Sequence, residues 1–209
     1  MDRRAVPALI RVGFSLLTVA AIVVQLLDLA GRGTLNPVNY FSYFTIQSNL
    51  IGVAAFLVAA ARWQRGRSNG VELLRGGATV YLTVTFVVFA LLLSGTDVDT
   101  AIPWVNTVLH GVFPVAVMLD WLVTTPSVVI GFRSSLAWLA YPMGWTAYTL
   151  VRGPIAGWYP YPFLNPANGG YGTVGLYVVA ILVFGLVLCA VVSGVGRWRR
   201  GQGRAPAIA

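Results

Sequence analysis

A chain of 209 residues that is 57% hydrophobic and only 10% charged lies far below the roughly 25% charge of an average soluble domain, and reads as an integral membrane protein folded as one unit, residues 1–209. Its formal charge of +8 comes from fourteen arginines, with no lysine, against six acidic residues, which excludes a Walker-type phosphate loop, lysine Schiff bases and Ser–Lys dyads. One histidine (His110) and one cysteine (Cys189) supply neither a zinc cluster nor two-histidine haem ligation nor an intrachain disulfide, so no metal and no cofactor is expected.

Six apolar runs, near 8–30, 39–61, 76–94, 103–124, 134–152 and 173–195, are each long enough to cross ~30 Å of hydrocarbon at ~20 residues per span. The expected fold is therefore all-α, an integral membrane bundle of six transmembrane helices. The first run is too long for a signal-peptide core and lacks a small-x-small cleavage site, so it reads as a retained span. The connecting loops are short, and no internal repeat or low-complexity segment stands out. Arg3, Arg4 and Arg11 open the chain; Arg62, Arg65, Arg67 and Arg75 fall between runs two and three; Arg133 lies between four and five; Arg197, Arg199, Arg200 and Arg204 follow run six. With six spans these share one side, and the positive-inside rule makes it cytoplasmic, together with both termini. Arg32 and Arg152 fall on the other side, as does the loop with Asp97 and Asp99. The basic excess thus reads as a topology signal with anionic-lipid contact, and not as a nucleic-acid surface.

The second run opens on a polar stretch from Asn39 to Leu50. On a continuous helix Ser42, Thr45 and Asn49 share a face, which must turn towards partners, a cavity or water. One reading is hydrogen-bond glue between helices. The other is a site, and His110 in run four is what a site would need. Asn106 precedes it by four residues and Pro114 follows by four, loosening the local backbone hydrogen bonding. Thr45 lies six residues beyond Asn39 and His110 seven beyond Pro103; runs two and four both lead from outside to inside, so both residues sit roughly 9–11 Å below the outer ends of their spans, at matched depth. A threonine hydroxyl needs an adjacent base to act as nucleophile. Thr45 is the best placed candidate, with Ser42 and Ser48 as alternatives. Asn106, Ser42 or Tyr43 could steady an oxyanion or orient the histidine, and Asp28 could supply a carboxylate to its other nitrogen. Asp120, about 15 Å beyond His110 along the helix, would form a second polar layer with Asn49. Alone in an apolar setting its carboxyl would tend to the neutral form. Between runs five and six, Trp158, Tyr161, Pro162 and Phe163 belong to a rigid aromatic loop holding three prolines in seven residues. It reads as an interfacial belt or as a lid over a substrate entry.

Three stretches resemble the androgen-induced, six-span membrane hydrolases that cleave fatty acid esters of hydroxy fatty acids, and their bacterial six-span relatives. They are Phe44-Thr45; Asn106-x-x-x-His110 with Pro114 and Asp120; and Trp158-x-x-Tyr161-Pro162-Phe163-Leu164. The pattern runs in order over roughly residues 40–165, with Asp120 where the family has Glu, Pro114 one residue nearer the histidine, and one extra residue in the third motif. The resemblance implies Thr45 as nucleophile and His110 as base, a fatty-acyl ester substrate drawn from membrane lipid, and residence in a bacterial plasma membrane. Two further readings keep the fold without this chemistry: a non-catalytic lipid-binding protein, and a small proton-coupled transporter using Asp28, His110 and Asp120 as a relay. Against the transporter stand the short chain and the lack of an inverted repeat.

Overall fold

The computed structural model describes residues 5–94 and 102–202, all helical or connecting turns. Asp97, Asp99, Arg3, Arg4 and Arg204 lie outside the described residues. The elements are α1 (Ala5–Gly31), α2 (Pro37–Ser42), α3 (Phe44–Ala61) and α4 (Asn69–Val88), which ends in a π turn, Phe89–Leu93. Next come α5 (Pro103–Thr107), a second π turn (Val108–Val112), α6 (Phe113–Val123), α7 (Phe132–Ser135), a 3₁₀ turn (Leu136–Leu139) and α8 (Ala140–Ala156). Two further 3₁₀ turns, Pro162–Leu164 and Pro166–Asn168, lead into α9 (Gly170–Gln202).

Among the described residues, five helices are long and apolar enough to cross a membrane: Ala5–Gly31, Phe44–Ala61, Asn69–Leu93, Pro103–Val123 and Gly170–Gln202. The run expected at 134–152 is helical from Phe132 to Ala156 but in three pieces, of which α8 accounts for 17 residues. α4 is the centre of the bundle, packed on α3, α6 and α9, while α1 and α9 keep most of their apolar surface on the outside. Outward-facing side chains such as Leu16, Leu91, Ile155 and Leu176 are what a lipid-contacting surface requires. The α7–α8 segment docks on α4 because Gly76 has no side chain. A Cβ there would lie 2.2 Å from the Trp138 ring, whose Nε1–H donates to Leu73 C=O at 2.8 Å. α8 then ends at Gly157, whose φ of 62° needs a residue free of the left-handed penalty.

Two boundaries differ from the sequence reading, each for a local reason. The run at 39–61 is not one helix: Tyr43 is extended, with ψ of 129°, and separates α2 from α3. Ser42 Oγ donates to Val38 C=O at 2.6 Å, and the Ser42 carbonyl freed by the break accepts from Trp145 Nε1–H at 2.9 Å. The shared face of Ser42, Thr45 and Asn49 therefore does not arise from helical phase. The run at 76–94 begins seven residues earlier, so Arg75 is inside α4 and not in a loop. Its charge is tolerated because it is paired. Arg75 Nη1 reaches Glu72 at 2.6 Å and its Nη2 reaches Asp120 at 2.7 Å. Asp120 also meets Arg11 at 2.8 Å, and Glu72 meets Arg67 at 2.8 Å. This chain of alternating charge ties α1, α4 and α6 at the end of the bundle away from Tyr161. Asp120 is therefore an ion-paired carboxylate, and the expectation of a neutral carboxyl fails because two guanidiniums face it.

Candidate active site

At the opposite end, three side chains from separate segments converge. The break at Tyr43 starts α3 at Phe44, which puts Thr45 in the first turn, at the positive end of the helix dipole. Thr45 Oγ1 lies 3.2 Å from His110 Nε2 and 3.1 Å from the Tyr161 hydroxyl. The Thr45 N–H donates to that same hydroxyl at 3.1 Å. Thr45, His110 and Tyr161 are 7%, 6% and 6% exposed, so bulk water does not compete for these bonds.

The hydrogen bonds set the protons. His110 Nδ1 lies 3.2 Å from Asn106 C=O, which can only accept, so Nδ1 carries hydrogen. The neutral ring then presents the Nε2 lone pair to the Thr45 hydroxyl, which donates to it. Tyr161 accepts from the Thr45 N–H and turns its own O–H towards Thr45 Oγ1. Burial raises the Tyr161 hydroxyl pKa above its ordinary value of 10.0, against a smaller opposing pull from its bonds to Thr45, so it remains a donor.

The backbone under His110 has an identifiable cause. Pro114 offers no N–H to His110 C=O, and the Phe113 N–H is drawn to Val108 C=O, which widens the turn at Val108–Val112. That leaves Leu109 C=O free for Asn49, whose Nδ2 donates to it at 3.1 Å and to Thr45 C=O at 2.7 Å. One fully buried amide thus fastens the residue before the histidine to the threonine. Phe89 backs the imidazole, stacked at 4.0 Å with 21° between the planes.

Of the other expected site residues, some belong here and some do not. Asp28 does not reach His110; it pairs with Arg32 at 3.1 Å, and a backbone carbonyl takes the orienting role proposed for it. Asn106 acts through that carbonyl, and its side-chain Oδ1 has no partner. Ser42 is committed to Val38 and to the Tyr148 hydroxyl at 2.9 Å, away from the dyad. Ser48 bonds Thr85 at 2.9 Å. Tyr43 sits edge-on to Trp158 and Tyr161, next to the ring whose hydroxyl meets Thr45. Asp120 belongs to the remote charge network.

The aromatic loop is pinned at both ends. Arg152 donates to Asn39 Oδ1 at 2.6 Å and lies 5.3 Å over the Trp158 ring. Asn168 Nδ2 holds Pro162 C=O at 2.9 Å. Pro162 is exposed and Phe163 half-buried, but Tyr161 plunges inward, stacked on Phe163 with 7° between the rings. Its hydroxyl is the site group that sequence reading assigned to a lid. The available signal was a tyrosine with proline on either side, which fixes where the ring can point. Phe89 carried no signal at all.

Two cavities meet at Thr45 and Tyr161. One, of about 330 Å³, is almost wholly apolar and runs between α4, α8 and α9 past Phe44, Val84, Leu150 and Ile181 to Gly185. Met143 and Ala147 on its wall are exposed, so it opens sideways between helices. The other, of about 100 Å³, lies towards α1 and is lined by Gln25, Thr34, Asn36, Asn39, Tyr43 and His110 among others. Among the described residues no group of three His, Cys, Asp or Glu side chains is placed to hold a metal ion.

No family model, no curated protein and no solved structure matches this chain.

Proposed function

We propose that this chain is a Thr/His-dependent hydrolase of lipid (fatty-acyl) esters, set in a six-span bundle of a bacterial plasma membrane with both termini cytoplasmic. The observation that carries the reading is the 3.2 Å contact between Thr45 Oγ1 and His110 Nε2, at the junction of two cavities. The motifs shared with the six-span membrane hydrolases support it. Taking Phe132–Ala156 as the sixth crossing puts both termini on one side, as the arginine distribution requires.

In the proposed mechanism the Thr45 oxygen attacks the ester carbonyl while His110 Nε2 takes its proton. The tetrahedral oxyanion forms beside the Tyr161 O–H, at the positive end of α3. His110 returns the proton to the departing alcohol as the acyl C–O bond breaks, leaving an acyl-threonine. Water, deprotonated by His110, then cleaves that ester and releases the fatty acid and free Thr45. Apolar lining and the sideways opening suit an acyl chain arriving from the bilayer.

A lipid-binding protein would need the large cavity but not the aligned proton path. Labelling by an activated fluorophosphonate separates the two. The intact chain should be labelled at Thr45, and Thr45→Ala and His110→Ala should each lose labelling and lower kcat by on the order of 10⁴-fold or more. Thr45→Ser should retain part of the activity, and the double variant should be scarcely worse than either single one. Folded protein that neither labels nor turns over any acyl ester would leave lipid binding as the function.

A further inference from the structure

Both cavities touch Thr45 and Tyr161, but only the small one touches His110. On the hydrolase reading, on which this inference rests, that asymmetry assigns the two halves of the ester. The group that protonates the leaving oxygen must face it, so the alcohol departs on the His110 side. The acyl chain lies on the other side of Thr45. We propose that the substrate is the ester of a medium-length fatty acid with a small, uncharged, polar alcohol of the glycol or glycerol type.

Size supports the assignment. An apolar cavity of about 150 Å³ holds the six carbons of benzene. On that scale the 330 Å³ cavity takes an acyl chain of about thirteen carbons, and the 100 Å³ cavity takes about four heavy atoms, or about three waters. Polarity agrees with size. Gln25, Thr34, Asn36 and Asn39 give the small cavity amides and a hydroxyl, and among the described residues no Asp, Glu, Lys or Arg lines it. Nothing there would compensate a carboxylate or phosphate on the alcohol half, and a second long chain has no room. The same chamber gives the second step its water. Once the alcohol leaves, the vacated volume adjoins Nε2, which must activate the incoming molecule. Selectivity follows from named walls. Leu29 lines the small cavity from α1. Gly185, where an added Cβ would meet only the Leu139 side-chain tip at 3.0 Å, lines the large one from α9.

The test uses the full chain purified in detergent micelles, with release of dodecanoic acid followed by mass spectrometry. Four dodecanoyl esters share the acyl half: those of ethylene glycol, glycerol, dodecanol and a hydroxylated octadecanoic acid. The first two should exceed the last two in kcat/KM by on the order of tenfold or more. Leu29→Ala should narrow that gap by raising the rate on the dodecanol ester, and Gly185→Leu should shift the preferred acyl chain to fewer carbons. Equal or faster cleavage of the two long-alcohol esters, with Thr45 still labelled by fluorophosphonate, overturns the assignment while the hydrolase stands. Absence of both labelling and turnover overturns hydrolase and assignment together.

Discussion

Tyr161→Phe removes one oxygen and leaves the ring stacked on Phe163, so it isolates what that hydroxyl does. Two bonds of 3.1 Å end on it, one from the Thr45 N–H and one shared with Thr45 Oγ1. Losing both leaves a backbone donor unsatisfied in a site that is 7% exposed at Thr45, a cost of about 1–3 kcal/mol of stability. If the hydroxyl also faces the developing oxyanion, kcat should fall on the order of 10²–10³-fold, with KM nearly unchanged because the ground-state carbonyl gains little from it. The assay is steady-state hydrolysis of a dodecanoyl ester beside thermal unfolding in the same detergent. A stability loss with kcat intact would make Tyr161 a prop for Thr45 and remove it from the mechanism. The pH dependence has a definite sign. With its folded-state pKa raised by burial, the buried phenol contributes stability that is present below its ordinary value of 10.0 and is lost as pH rises through the folded value. The alkaline fall in stability should therefore be shallower in Tyr161→Phe than in the parent.

Asp120→Asn should act on the fold and hardly on the chemistry. It leaves Arg11 and Arg75, both 2% exposed, short of one negative charge, and breaking such a buried pair costs about 3–5 kcal/mol. The expected result is a large drop in unfolding temperature, with near-normal kcat in the fraction that stays folded; normal stability would refute the network's role. Asn49→Leu keeps the volume but withdraws the Nδ2 donor from Leu109 and Thr45, so it should lower kcat more than a remote core substitution of equal destabilisation. Equal kcat at matched stability would show that the amide fastens the helices without placing the dyad.

Composition and run lengths made the helical, lipid-facing character legible, because an apolar surface in lipid leaves little choice of backbone. His110 was named as the only imidazole, and matched depth with it put Thr45 ahead of the Ser42 and Ser48 hydroxyls of the same polar stretch. Their contact was not legible in the same way. The matched-depth estimate treated both spans as regular helices, and both are broken where it matters. The extended residue at Tyr43 depends on Trp145, more than a hundred positions away, taking up the Ser42 carbonyl. No local pattern announces that. The break turns Thr45 from a mid-helix residue into a first-turn residue, which supplies the positive end of α3.

The wide turn under His110 was half legible, since Pro114 had to disturb the hydrogen bonding there. Its consequence reaches beyond the site. An extra residue in one turn rotates everything after it by about 100° relative to what precedes it. His110 lies in that turn and faces α3, whereas Asp120 lies past it and faces Arg11 and Arg75. With the wide turn between them, the reacting face and the ion-pairing face of one crossing are set separately. The ion pairs can therefore fix α1, α4 and α6 at one end of the bundle while the hydrogen bonds among Thr45, His110 and Tyr161 are set independently at the other. Asn49 is the link that makes this workable, because it closes a carbonyl the wide turn leaves open, that of Leu109, and spends its second hydrogen bond on Thr45.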